Sequence, residues 1–314
     1  MAQVMTVLGP ISPDALGFTL PHEHIFADLT AFPKGITIGG LDAIVDPVRH
    51  SDIMLDELKA FQAVGGKSLV ELTCRNMGGD IRAVKRMAEV TGLNIIAGCG
   101  WYRESYIENK IYYRSTDELA EELIDEIEHG IDGTDIRPGI IGEIGTNYYH
   151  LTAKEERCLR AEAKAQRRTG LAITTHLPKG GVALEMLDIL AEHDVPPDRI
   201  ILGHCDIYQN LEYHAALIKR GAYVQYDNIG TDYDMPRQEP NLINLVVELI
   251  RQGYAERILL SHDILWKSRH KYWNPHDGFD YLSKTFLPKL KEKGVSDEAI
   301  HIMTVENPRR VLAT

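Results

Sequence analysis

Apolar and polar positions along the chain alternate between two periodicities. Eight short runs rich in apolar and β-branched residues read as strands: "FTLPHEHI", "KSLVELTC", "NIIAGCGW", "GIIGEIG", "LAITTHL", "RIILGHCD", "AYVQYDNIG" and "RILLSHD". Between them lie segments with apolar residues at helical spacing, among them "SDIMLDELKAFQAVGG", "DIRAVKRMAEVTG", "STDELAEELIDEIEHG" and "TAKEERCLRAEAKAQRRTG". Several open on Ser, Thr or Asp and stop at Gly, as capped helices do, and Ser51 is the capping candidate of the first. The chain closes on a helical pattern containing "ENPRRVL", where Asn307 and Pro308 suit an N-cap and a first-turn position.

Eight strands, each followed by a helix, over 314 residues predict a (β/α)₈ TIM barrel, read as a single domain covering residues 1–314. A doubly wound sheet is the alternative, but it would usually carry a glycine fingerprint after its first strand, where this chain holds two histidines. No low-complexity linker or short-period repeat interrupts the pattern. The most irregular stretch, "SHDILWKSRHKYWNPHDGF", follows the eighth strand and reads as a long functional loop.

Composition narrows the partners. A formal net charge of −12 argues against nucleic acid or an anionic membrane as the main partner. No apolar run approaches the length that spans a bilayer, and the N-terminus lacks a basic region followed by an apolar one. Cys74, Cys99, Cys158 and Cys205 show no CxxC spacing and are too sparse for a disulfide scaffold, so a reduced cytoplasm is the expected location.

Candidate chemistry gathers at the strand ends. In "GFTLPHEHIF" the alternation of a strand sends His22 and His24 to one side and Glu23 to the other. In a barrel the C-terminal ends of the strands carry the chemistry, and the polar residues there are His22, His24, Glu143, His176, His204 and Asp263. Any one of these has a bland explanation as a satisfied core residue. Converging at one end of a barrel, four imidazoles and two carboxylates would be costly to bury unpaired. Such donors suit zinc and similar divalent ions, and six are too many for one four-coordinate zinc. Two ions about 3.5–4 Å apart, sharing a bridging carboxylate, use all six and can hold a hydroxide between them.

In this order, from "LGFTLPHEH" through "TTH" and "GHCD" to "SHD" and the closing "ENPRRV", the motifs resemble the phosphotriesterase family of the amidohydrolase superfamily. The resemblance implies that His22, His24 and Asp263 hold the more buried metal and His176 and His204 the more exposed one. It also implies that Asp263 takes the proton from the attacking hydroxide. The best-known members bridge their metals with a carboxylated lysine, but "PGIIGEIGTNYY" contains no lysine and Glu143 is its only acidic residue. This looks like the glutamate-bridged subgroup of phosphotriesterase-related proteins. Lactonase-type members carry an arginine where "YVQYDNIG" places Asn228, which separates this chain from the acyl-homoserine lactonases. Tyr102 matches the aromatic residue that leans over the metals in those lactonases, with packing against a loop as its alternative role.

The loop after Asp263 holds Lys267, Arg269, His270 and Lys271 within five positions, and this reading selects Lys267 and Arg269 to bind an anionic substrate group. A solvated basic loop is the alternative. Three functions compete. The first is a two-metal hydrolase of a lactone or carboxylic ester, with a secondary phosphotriesterase activity. The second is an amidase acting on N-acyl amino compounds at the same site, with Asp206 as a candidate proton donor to the leaving nitrogen. The third is a binding protein that keeps the metals without turnover, against which the complete ligand set argues. Zinc is the expected metal, although manganese, cobalt and iron tolerate the same ligands. A small-molecule substrate and a homodimer complete the expectation.

Overall fold

All eight predicted runs form strands, in the predicted order. In the computed structural model these are β1 (Phe18–Glu23), β2 (Gly66–Glu71), β3 (Asn94–Cys99), β4 (Ile140–Gly145), β5 (Ile173–His176), β6 (Ile200–Leu202), β7 (Tyr223–Tyr226) and β8 (Ile258–Leu260). The structure describes residues 2–30, 40–147, 149–178, 181–230 and 239–314. Each strand pairs in parallel with the next, so the sheet runs from β1 to β8 in sequence order. The two end strands meet through single contacts rather than a ladder: Asp263 N donates to His22 O at 3.2 Å and His22 N to Ser261 Oγ at 3.0 Å. The result is a nearly closed TIM barrel ringed by helices.

Strand alternation divides the core. Leu69, Ile95, Ile141, Ile173, Ile200 and Leu260 pack against the helices, whereas their neighbours Val70, Ile96, Ile140, Ala172, Ile201 and Leu259 form a separate cluster inside the barrel. The helices α1 (Pro47–Ala63), α2 (Ile81–Thr91), α3 (Thr116–His129) and α4 (Ala153–Thr169) match the four quoted patterns closely. Ser115 and Thr152 each make a capping box with the Glu three residues on, and α2 and α4 end on glycines, Gly92 and Gly170, in the left-handed conformation.

Two boundary expectations are corrected. Helix α1 starts four residues before Ser51, because Asp46 caps it and Pro47 supplies a first position with no N–H to lose; the Ser51 hydroxyl bonds Pro47 O instead. Asn307 is not a cap. Its backbone is helical at φ −64, and its side-chain amide donates to Ala255 O at 2.8 Å and Ile258 O at 2.7 Å, pinning the last helix to the base of β8. Strands β6 and β8 stop earlier than their hydrophobic patterns because His204 and Asp263 turn the chain at φ 56 and φ 55. For a non-glycine residue that turn costs about 1–2 kcal/mol, so it stands only where neighbours impose it. No helix of the described residues is long and apolar enough to cross a membrane.

Candidate metal centre

The six strand-end residues meet in one place. His22 closes most of β1, His24 follows it, Glu143 lies in β4, and His176 ends β5. His204 and Asp263 sit on the two left-handed turns just beyond β6 and β8. Their donor atoms sort into two groups that each fit one cation: His22, His24 and Asp263, and Glu143, His176 and His204. Asp263 Oδ1 lies 3.1 Å from His24 Nε2 and 3.6 Å from His22 Nε2. In the second group Glu143 Oε1 lies 2.6 Å from His176 Nδ1 and 3.1 Å from His204 Nε2.

Glu143 also reaches the first group, at 3.4 Å from His22 Nε2 and 3.8 Å from His24 Nε2. A carboxylate between two donor sets is where a bridge belongs. Burial would raise its pKa, but the His176 and His22 imidazoles around it hold it well below the usual carboxylate range. His22 Nε2 is wholly buried and has no hydrogen-bond partner among the described residues. An orphaned imidazole nitrogen facing two carboxylates is a poor hydrogen-bonding arrangement and a good cation ligand, so the donor set fits divalent metal.

Sequence reasoning missed the carboxylate behind the histidines. Asp227, just beyond β7, is fully buried; its Oδ2 lies 2.9 Å from His22 Nδ1, and its Oδ1 lies 2.7 Å from His204 Nδ1 and accepts His204 N at 2.9 Å. One carboxylate therefore fixes one histidine of each group by the nitrogen that faces away from the centre, leaving both Nε2 atoms aimed inward. Burial disfavours charge on these imidazoles, yet Asp227 holds both well above the usual histidine range. The signal was present in the sequence: Asp227 is a polar residue at the end of β7, next to Asn228 in "YVQYDNIG". His24 has its own support, Thr73 Oγ1 at 2.9 Å from Nδ1.

Tyr102 is buried, with its hydroxyl 3.2 Å from His176 Nε2 and its ring edge-on to that imidazole at 4.8 Å. Its place against the second group is therefore direct. Burial pushes its hydroxyl well above the ordinary tyrosine range, so it stays a phenol. Arg103 lies beside it, half-buried, with its guanidinium 5.6 Å from the Tyr102 ring centre and 5.8 Å from that of Tyr106. Asp206 is buried and turned to Asn228: one oxygen accepts Asn228 N at 2.5 Å and the other Asn228 Nδ2 at 3.1 Å.

The basic loop is the main correction. Arg269 is buried, with Nε 2.6 Å from Asp277 Oδ2 and Nη2 donating to Ile229 O at 3.0 Å. Lys267 Nζ donates to Leu41 O at 2.9 Å, and Lys271 pairs with Asp280 at 2.5 Å. His270 is buried, which drives it down to about 3, so it carries no charge near neutral pH. An irregular loop has no ladder to satisfy its carbonyls, and here the cationic side chains do that work. Arg269 is thus committed inside the protein and not presented to a substrate, and Lys267 is tied to a loop carbonyl.

The model of the Phosphotriesterase family matches residues 2–312. The chain belongs to the phosphotriesterase family. The phosphotriesterase homology protein of Escherichia coli is 36% identical over 95% of this chain and 98% of its own length. The N-acetyltaurine hydrolase of Xenopus tropicalis is 32% identical, covering 99% of this chain and 97% of its own. Among solved structures, a lactonase from Listeria monocytogenes superposes with a TM-score of 0.90 at 27% identity, covering 99% of this chain and 98% of that one. The phosphotriesterase family consists of two-metal hydrolases, and this chain is a hydrolase of that family with donors for both ions.

Proposed function

We propose that the protein hydrolyses a carboxylic ester or lactone of a small molecule, acting as one catalytic domain. The two donor groups sharing Glu143 carry this reading. His22, His24 and Asp263 would hold one divalent ion and His176 and His204 the other, with Glu143 between them and zinc the first choice. When bound, such ions supply a lowered pKa for water and polarisation of the scissile carbonyl. The chain's own residues do the rest. Asp263, whose side chain is 18% exposed and the most open of the two carboxylates, accepts the proton of the attacking water and returns it to the leaving group. Asp227 engages the Nδ1 of His22 and of His204, so that each imidazole presents its Nε2 to the centre. Tyr102 covers the second group and excludes bulk water beside it.

With Arg269 committed to Asp277, recognition of an anionic substrate group falls to Arg103. Burial lowers the His176 imidazole, and the charges of His204 and, more weakly, Arg103 act in the same direction. Cleavage of an N-acyl amine is the second reading, favoured by the N-acetyltaurine hydrolase relatives over nearly the whole chain. The protein is placed in the cytoplasm as a homodimer in this reading.

A panel of lactones, carboxylic esters, N-acyl amino compounds and phosphate triesters, run with zinc- and manganese-loaded protein, tests it. Fastest turnover on lactones or esters is the expected result. Preference for N-acyl amino acids or N-acyl sulfonates moves the second reading to first place. Turnover of none of these, at two bound ions per chain, overturns both.

A further inference from the structure

Between His22 in β1 and His24 just beyond it stands a residue that the metal centre does not use. Glu23 is fully buried and points away from the six donors toward the seam where β1 meets β8 without a ladder. Its Oε1 accepts His262 N at 2.9 Å and lies 2.9 Å from His262 Nδ1 and 2.8 Å from Ser261 Oγ. Its Oε2 accepts Ile264 N at 3.0 Å. The two peptide N–H groups gripped by this carboxylate therefore flank Asp263, the residue held at φ 55. The other side of His262 is also engaged, since Nε2 accepts Leu282 N at 2.9 Å. That acceptor role fixes the neutral tautomer, with Nδ1–H donating to Glu23.

We propose that Glu23 and His262 form a positioning clamp that sets Asp263 against His22 and His24 before an ion arrives. The inference rests on the metal centre proposed above. One carboxylate, carried between two ligands of the buried ion, holds the backbone on both sides of the third. Without it the left-handed turn at Asp263 would lose its two flanking hydrogen bonds, and the turn is a conformation that L-residues adopt only under constraint. Ser261 extends the clamp to the strand itself: its hydroxyl accepts His22 N at 3.0 Å and lies 2.9 Å from His22 O. The clamp acts through Asp263 and touches no substrate.

The test compares E23Q, H262F and H262N with the wild-type protein. H262F keeps a ring and removes both hydrogen bonds, while H262N retains an amide donor toward Glu23. Each is purified metal-free, checked by thermal melting, and titrated with Zn²⁺ against a competing chelator. Wild type should bind two ions. E23Q and H262F should bind one of the two about 10- to 100-fold more weakly, the usual consequence of losing an outer partner of a ligand. H262N should recover part of that loss, and kcat should fall in the same order with KM nearly constant. Wild-type affinity for both ions in E23Q and H262F, or equal loss in H262F and H262N, overturns the clamp. Should E23Q and H262F fail to fold, the comparison of H262N with wild type decides, with wild-type KM and a reduced kcat expected and unchanged kcat and affinity fatal. A wild-type protein that binds no ion would instead sink the metal centre itself.

Discussion

Glu143 and Glu162 are both glutamates with essentially no exposure, one in β4 and the other in the helix α4 that follows it. Their charge states are opposite. Glu143 has His176, His204 and His22 within 3.4 Å of one oxygen, and these imidazoles keep it ionised far below the usual range. Glu162 has a single donor, Trp101 N at 2.9 Å from Oε1, while its Oε2 has no partner among the described residues. Burial pushes it up to about 8, with Trp101 N–H and Arg75 opposing only in part. Burial alone therefore says little about a carboxylate; the donors aimed at it decide. A cluster that keeps a buried carboxylate charged among imidazoles is already arranged for cations, whereas the wall of the barrel tolerates its glutamate by leaving the proton on.

The sharpest way to break the contrast is Glu143→Gln. It preserves volume but removes the charge that both donor groups share. The expected outcome is purified protein carrying fewer than two ions per chain by elemental analysis, and turnover reduced by several kcal/mol of barrier, on the order of 10³-fold or more. Full metal content with undiminished turnover would mean that Glu143 is only another buried acid, as Glu162 is.

Arg269→Ala probes a third solution to the same problem. Asp277 is buried and answered by one guanidinium rather than by imidazoles or a retained proton. Removing Arg269 leaves that carboxylate without its cation, at a cost of about 3–5 kcal/mol of stability read by denaturant unfolding. KM for an anionic ester should match KM for its neutral counterpart in this variant as closely as in wild type. A selective rise in KM for the anion at unchanged stability would restore Arg269 to the substrate-binding role read from the sequence.

That misreading marks the boundary of what the sequence discloses. The barrel and the convergence of the six strand-end side chains were legible because strand ends are fixed by a local pattern and a barrel brings all its strand ends together. His22 and His24 needed only the period of a strand. Arg269 was not legible, because spacing along an irregular loop does not show that a guanidinium turns inward to Asp277 and Ile229. Asp227 and Glu23 lay in motifs that were quoted, but their roles depend on which neighbour each faces across the sheet, on β1 and β6 for one and across the β1–β8 seam for the other. Ser51 fits a cap by composition, yet Asp46 followed by Pro47 competes for the same helix start and wins. Local rules place elements; contacts between distant segments decide which polar group serves chemistry and which merely keeps the chain satisfied.

The mildest perturbation tests the other half of the comparison. Glu162→Gln keeps the acceptor for Trp101 N and supplies a permanently neutral group with donors where the carboxyl is short of them. Gln166, one turn further along α4, has a buried Oε1 without a partner among the described residues, so a donor from position 162 has an acceptor at helical spacing. The sign of the pH effect follows from the raised pKa. A carboxyl that titrates near 4.5 when unfolded and about 8 when folded holds its proton preferentially in the fold. Its contribution to stability is fullest below 4.5 and is lost as pH rises through about 8. The variant has no such proton to lose. Its melting temperature should therefore approach that of wild type at acidic pH, exceed it by a margin that widens between about 4.5 and about 8, and hold that margin at higher pH. Thermal unfolding of the two proteins across that range reads the difference directly. Parallel profiles would mean that Glu162 is ionised in the fold, and the contrast with Glu143 would disappear.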